Sequence, residues 1–252
     1  MAGSEAVIEI RRLSALAEFS EAVALQQCVW GFADSDLVPL PLFVVSHKTG
    51  GHVFGAYEGG RMIGFCLAVA GIRPGGRPYL HSHMLGVLAS HRNAGVGRRL
   101  KLAQRDEALA RGLDLIEWTF DPLEIKNAYF NIERLGVVVR RYSENEYGST
   151  SSPLHGGLPT DRCVAEWWIA TPRVETILAG GSARRPGVER GVVERIAVPA
   201  AIDRLRREDP ARARDVQRAN AARFHQSFAR GLAVTGFERT EAESVYLLGP
   251  LA

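Results

Sequence analysis

The residues best able to do chemistry in this chain sit where one apolar stretch turns into another, Leu85-Gly86-Val87-Leu88-Ala89-Ser90-His91-Arg92-Asn93-Ala94-Gly95-Val96-Gly97-Arg98-Arg99-Leu100. A strand that feeds a helix through two glycines lets successive backbone N–H groups converge. The helix N-terminus adds roughly half a positive charge, so the turn suits a pyrophosphate. Residue identity separates three kinds of phosphate loop. A Walker loop requires Gly-Lys followed by Ser or Thr, whereas Gly97 precedes Arg98 and Arg99. A dinucleotide fingerprint requires a third glycine where this chain has Leu100. The pattern left is Arg92-x-x-Gly95-x-Gly97. Just upstream, His81 and His83 lie two apart on one strand and so share a face, a spacing suited to metal ligation or to a general base. Two histidines lack the third and fourth ligands of a zinc site, so substrate contact or an ordinary polar face is the better reading, and no metal is expected.

The elements that must position these groups emerge from periodicity and turn residues. Val7 to Leu13 reads as an opening strand, and Leu16 to Trp30 as a helix stopped by Gly31. A loop marked by Pro39 and Pro41 leads into a short second helix through Val45. His52 to Tyr57, Arg61 to Ile72 and Tyr79 to Leu88 read as a three-stranded meander. After the double-glycine turn comes a helix to Arg111, then a strand Leu113 to Phe120 and a helix Ile125 to Leu135 stopped by Gly136. Val137 to Tyr142 and Cys163 to Ile169 are two further strands, separated by the Ser-, Gly- and Pro-rich loop Ser149 to Asp161.

With Arg92, Gly95 and Gly97 set in this order of elements over roughly residues 7 to 170, the chain resembles the GNAT family of acyl-CoA-dependent N-acyltransferases. The resemblance implies an α/β (α+β) fold with a mixed, mostly antiparallel central sheet flanked by helices. It implies that backbone amides from about Arg92 through Asn93, Ala94, Gly95, Val96 and Gly97 to Arg98 hold the CoA pyrophosphate, while Gly86, Val87 and Leu88 line the pantetheine arm. It further implies that the strands at Leu80 to Leu88 and Leu113 to Phe120 splay to open a slot for the thioester between Val87 and Trp118. Gly86 is a candidate for the accompanying bulge, with close packing as the alternative.

Acyl transfer from a thioester requires a neutral amine, donors for the tetrahedral oxyanion and a proton source for the departing thiolate. A backbone N–H near Val87 is the expected donor. Glu117 is the candidate base, although strand alternation turns it opposite to Ile116 and Trp118, so Glu117 and Trp118 do not both face the substrate. The family often places a Tyr four residues before the Leu-Gly glycine, where this chain has Ile132, and the acid therefore passes to Tyr142, with Tyr129 and Tyr147 as alternatives. Asn127 and Asn131, four apart on one helix face, are expected to reach CoA or solvent. Substrate contacts are assigned to His81, His83, Trp118, Arg141 and His155. Arg141, His155 and Arg162 have the chemistry to bind a carboxylate on the acceptor or on a succinyl-type acyl group.

Residues 171–189, with Gly180-Gly181 and Arg184-Arg185-Pro186-Gly187, read as a linker between an acyltransferase domain over 1–170 and a small strand-helix-hairpin unit over 190–252. In that unit Gly191 to Val198 is a strand, Asp209 caps a helix that starts at Pro210 and runs to Gly231, and two strands close a hairpin. The helix carries a basic face and an apolar one, which suits sheet capping or a homodimer. The formal charge of +3, with Lys48, Lys101 and Lys126 the only lysines, gives no case for nucleic acid. The three cysteines are far apart and read as buried thiols. No apolar run reaches the ~20 residues that span a bilayer, so no membrane partner and a cytoplasmic location are expected. The expected activity is transfer of an acetyl or succinyl group from acetyl-CoA or succinyl-CoA to a small-molecule amine or amino acid. The alternative is a CoA-binding sensor on the same scaffold that does not turn over.

Overall fold

The structure is a computed structural model that describes residues 7–148, 156–181 and 191–251. Two compact units partition the chain, Met1–Ile116 and Glu117–Ala252.

In the first unit, β1 (Ile8–Arg12), β2 (His52–Glu58), β3 (Arg61–Ile72) and β4 (Pro78–Val87) form an antiparallel meander in chain order. Helices α1 (Leu16–Trp30) and α2 (Leu40–Lys48) pack Phe19 and Phe43 against Phe65, Leu67 and Met84. Helix α3 (Val96–Ala110) packs Val96 and Leu100 against Phe54, Ile63, Cys66 and Leu85. The strands are therefore sandwiched between helices. Each fully buried Leu, Phe or Met contributes about 1.5–3 kcal/mol, which makes these two apolar layers the main support of the meander. Gly31 ends α1 in the left-handed conformation, as its position suggests, whereas α2 runs to Lys48, past the expected stop near Val45.

Strand β5 (Leu115–Phe120) begins in the first unit and continues into the second. There β6 (Val138–Ser143), β7 (Arg162–Trp168), β8 (Glu194–Pro199), β9 (Leu232–Arg239) and β10 (Glu243–Pro250) stand in the order β7-β6-β9-β10-β8. The helix expected over Ile125 to Leu135 is α-helical only as α4 (Ile125–Tyr129) and continues as a π-helix, Phe130–Arg134. Part of the expected linker is helical, with α5 (Pro172–Leu178) burying Val174 and Ile177, while residues 182–189 lie outside the described ones.

The C-terminal segment falls within the second compact unit, Glu117–Ala252. Its hairpin, β9 and β10, joins the second unit's sheet because β9 pairs with β6 at Val139↔Val234. β6 pairs with β7 on one side, and β9 covers its other side, which would otherwise carry unpaired backbone groups. Before the long helix α7 (Pro210–Ala229) comes a short α6 (Ile202–Glu208), which its charged sequence hides. Asp209 caps α7 as expected, accepting from the Arg212 amide at 3.1 Å. Phe224 on α7 stacks on Tyr142, so this helix caps the sheet of its own unit. Among the described residues no single helix is long and apolar enough to cross a membrane.

Candidate active site

The cradle of the first unit is made by backbone conformation. Asn93 and Gly95 both adopt the left-handed region, with φ of 66° and 78°, on either side of Ala94. Such reversals of handedness turn consecutive amides toward one point. Gly95 is the N-cap of α3 and no side chain caps that end. The first helical hydrogen bond runs from the Arg99 amide to the Gly95 carbonyl at 3.0 Å. The amides of Val96, Gly97 and Arg98 precede it, at the positive end of the helix dipole.

The fit to a pyrophosphate can be tested on the glycines themselves. A Cβ on Gly97 would meet only Leu85 Cδ2 at 3.5 Å, an ordinary contact, so packing inside the protein does not demand glycine there. Arg92 braces the loop, donating from Nε to the Val87 carbonyl (3.4 Å) and from Nη2 to the Val29 carbonyl (3.3 Å). Its guanidinium is thus committed to the loop's shape. His91 ties the loop to β2 through Glu58 at 3.0 Å.

Gly86 does not mark a bulge. A Cβ there would lie 2.7 Å from Trp30 Cη2, so its glycine answers the close approach of the α1 tryptophan. The bulge in β4 is at His83: Ala68 pairs with Ser82 and Leu67 with Met84, which leaves His83 as the extra residue. The His81 and His83 rings lie 6.0 Å apart. His83 is exposed, and desolvation by the surrounding protein lowers its pKa. Among the described residues no three His, Cys, Asp or Glu converge as a metal-binding set. The Leu88 amide bonds the Ile63 carbonyl at 2.9 Å, and because amides alternate along a strand the Val87 amide points away from β3.

In the second unit the sequence candidates gather on a side-chain network. Arg141 donates from Nη2 to Glu117 Oε1 at 2.6 Å and from Nε to Glu166 Oε1 at 3.3 Å. Arg140 binds Glu166 Oε2 through Nε at 3.2 Å and also through Nη2, and Trp168 Nε1 donates to the same oxygen at 3.2 Å. Both carboxylates are buried, Glu117 at 5% and Glu166 at 2% exposure, while both guanidinium groups remain half exposed. Two consecutive arginines reach one glutamate because β6 bulges between Val139, paired with Ala165, and Tyr142, paired with Cys163. Trp118 is buried edge-on to Trp167. Glu166 is not among the candidates that the sequence singles out, and its only signal there is a period-2 strand whose apolar run contains one carboxylate, Cys163-Val164-Ala165-Glu166-Trp167.

Three candidates are placed differently from expectation. Tyr142 is a core residue: its hydroxyl donates to Asp161 at 2.7 Å, and burial followed by that carboxylate raises its pKa well above the usual phenol value, so it is no proton source. Asn127 and Asn131 differ in surroundings: Asn127 is exposed, whereas Asn131, in the π-helical stretch, is 1% exposed. Ile132, where an acid would stand, is fully buried. Of the other tyrosines, Tyr147 is half exposed and shares a 2.7 Å hydrogen bond with Thr119, two residues from Glu117 on β5, and Tyr129 lies under the Arg239 guanidinium. His155 lies outside the described residues.

Residues 14–136 match the acetyltransferase (GNAT) family. No curated protein sequence matches the chain. Among solved structures it is similar to a GNAT-family protein from Desulfovibrio desulfuricans, at 14% identity and a TM-score of 0.52 over 65% of this chain and 100% of that one. It is also similar to the ribosomal-protein-S18-alanine N-acetyltransferase from Escherichia coli, at 16% identity and a TM-score of 0.51 over 66% and 96% of the two chains. A GNAT-family acetyltransferase from Streptococcus pneumoniae matches at 17% identity and a TM-score of 0.50 over 64% and 98%. At these identities the likeness is one of fold.

Proposed function

We propose, for a chain whose residues 14–136 belong to the acetyltransferase (GNAT) family, that it is an acyl-CoA-dependent N-acyltransferase moving an acetyl or succinyl group onto the amine of a small molecule or amino acid. The observation that carries the reading is the α3 N-terminus, with left-handed Asn93 and Gly95, no side-chain cap, and a glycine at 97 that internal packing does not require. The amides of Val96, Gly97 and Arg98 would hold the pyrophosphate of acyl-CoA, whose thioester supplies the activated acyl carbon.

The remaining roles fall to groups already described. His83 is the base in this reading: an imidazole with a lowered pKa is neutral near pH 7 and accepts the proton that the attacking amine must lose. The same imidazolium then holds that proton for the departing sulfur, which removes the need for a separate tyrosine acid. The Val87 amide, aimed away from β3, is the donor for the developing oxyanion. Glu117 serves to orient Arg141, to which its Oε1 is bonded. Within the second unit, the outer edges of Arg140 and Arg141, held by buried carboxylates behind them, have the chemistry to bind a carboxylate.

The test is release of CoA thiol from acetyl-CoA and succinyl-CoA against small amines, amino acids and short peptides, with CoA binding measured by calorimetry on the same protein. Turnover with a small acceptor supports the reading and names its class. Tight CoA binding without turnover for any acceptor replaces it with a sensor, and absence of binding removes the cradle.

A further inference from the structure

Lysine is scarce in this chain, and one of the three, Lys101, is buried at 4% exposure on the face of α3 that meets the sheet. Burying an ammonium group is costly unless it gains partners. A leucine or methionine at this site, beside Leu100, would avoid that cost. The hydrogen bonds show what the amine does there. Lys101 Nζ donates to Ser82 Oγ at 2.9 Å, and Ser82 Oγ donates to Gln104 Oε1 at 2.9 Å. Lys101 and Gln104 are one helical turn apart, so two side chains of α3 grip one serine.

That serine is the residue immediately before the β4 bulge. Ser82 is the last residue in register with β3 before His83 is extruded, and Met84 resumes the pairing. Ser82 is drawn toward α3, while Met84 packs into the α1 and α2 core. A bulge is a locally weakened piece of ladder whose geometry depends on what pins its flanks. Here one flank is pinned by core packing and the other by the Lys101–Ser82–Gln104 triad.

We infer that Lys101 is a positioning residue: by holding Ser82 together with Gln104 it fixes the β4 bulge and so the direction in which His83 is presented. The inference rests on the proposed role of His83 for its catalytic consequence, but not for its structural one. Burial lowers the Lys101 pKa to about 7, with the nearby Cys66 acting in the opposite sense. The triad also joins two parts of the site mechanically, since α3 begins at the cradle and reaches Ser82 within two turns.

The experiment compares wild type, Lys101→Met, Ser82→Ala and Ser82→Thr in the full chain, following the His83 ring resonances through a pH titration by NMR, with assignment from His83→Gln. Thiol release is measured in parallel. Lys101→Met and Ser82→Ala are expected to move the His83 resonances and titration midpoint. They should lower kcat roughly tenfold with KM for acyl-CoA within about twofold, the pattern of a misoriented group rather than a lost binding contact. Ser82→Thr keeps the hydroxyl and should restore both readouts. Wild-type titration and kcat in both disrupting variants overturn the inference. A fall in kcat with an unmoved His83 titration also overturns it, because the effect then has another route. If no variant, wild type included, turns over any acceptor, the proposed function fails and the titration alone decides the role of Lys101.

Discussion

At the start of α3 the groups aimed outward are backbone amides; around Glu166 they are long side chains drawn from β5, β6 and β7. The cradle needs only a local run of residues, with Asn93 and Gly95 in the left-handed region and the helix dipole behind them. The network needs residues 24 to 26 positions apart, Arg141 with Glu117 and Arg140 with Glu166, and a bulge in β6 that turns two consecutive arginines the same way. A backbone site is indifferent to most side-chain changes but is destroyed by a charge or a Cβ in its mouth. A side-chain network has the opposite sensitivity, because removing one member leaves buried partners unpaired.

That contrast predicts a ranking. Gly97→Glu puts a carboxylate against the amides that would hold a pyrophosphate, and calorimetry should find no CoA binding while circular dichroism stays native. Wild-type affinity in this variant would show that the anion sits elsewhere. His83→Gln should lower kcat on the order of 100-fold with CoA affinity retained, as loss of a general base does; an unchanged rate would return the role to another group. Glu166→Gln strikes the network and should reduce stability by about 2 kcal/mol in denaturant melts, since Arg140, Arg141 and Trp168 all lose a charged acceptor. It should leave CoA affinity unaltered, and an equal loss of both would mean that the two regions are not independent.

The pH dependence of stability has a definite sign. Lys101 titrates at about 7 when folded against 10.5 when unfolded. Between those values the unfolded chain carries the extra proton, so this group's contribution makes stability fall most at low pH and recover as pH rises across the window. The sign is the reverse of a lysine that gains an acidic partner. Urea midpoints at pH 7 and 9 should differ in the wild type and converge in Lys101→Met. The smallest change is expected from Glu117→Gln, with kcat within about threefold, because the amide oxygen can still accept from Arg141. A loss approaching that of His83→Gln would restore Glu117 as the base.

How much of this could be read in advance differs between the two regions for a physical reason. Glycine spacing, the Asn-Ala-Gly turn and the helix that succeeds it declare the cradle, because its atoms belong to consecutive residues. Strand alternation placed Glu117 and Trp118 on opposite sides of β5 but said nothing about which partner each would meet. Tyr142 reads as a candidate acid in isolation and is disqualified only by Asp161, nineteen residues away. Asn127 and Asn131 read alike at α-helical spacing, yet one is exposed and the other buried, and the π-helical stretch after Tyr129 has no mark in the sequence.

By itself, then, the sequence determined the order of the main strands and helices through β7 and the double-glycine turn that opens α3, both consequences of local sterics and of where apolar residues recur. Tertiary structure alone decided that β4 bulges at His83 rather than Gly86, that Arg140 and Arg141 share Glu166, that Lys101 lies buried on Ser82, and that the C-terminal hairpin completes the second unit's sheet. Each of those depends on which distant residues come to lie opposite one another, and pairing across strands is set by the packing of the whole unit rather than by any segment within it.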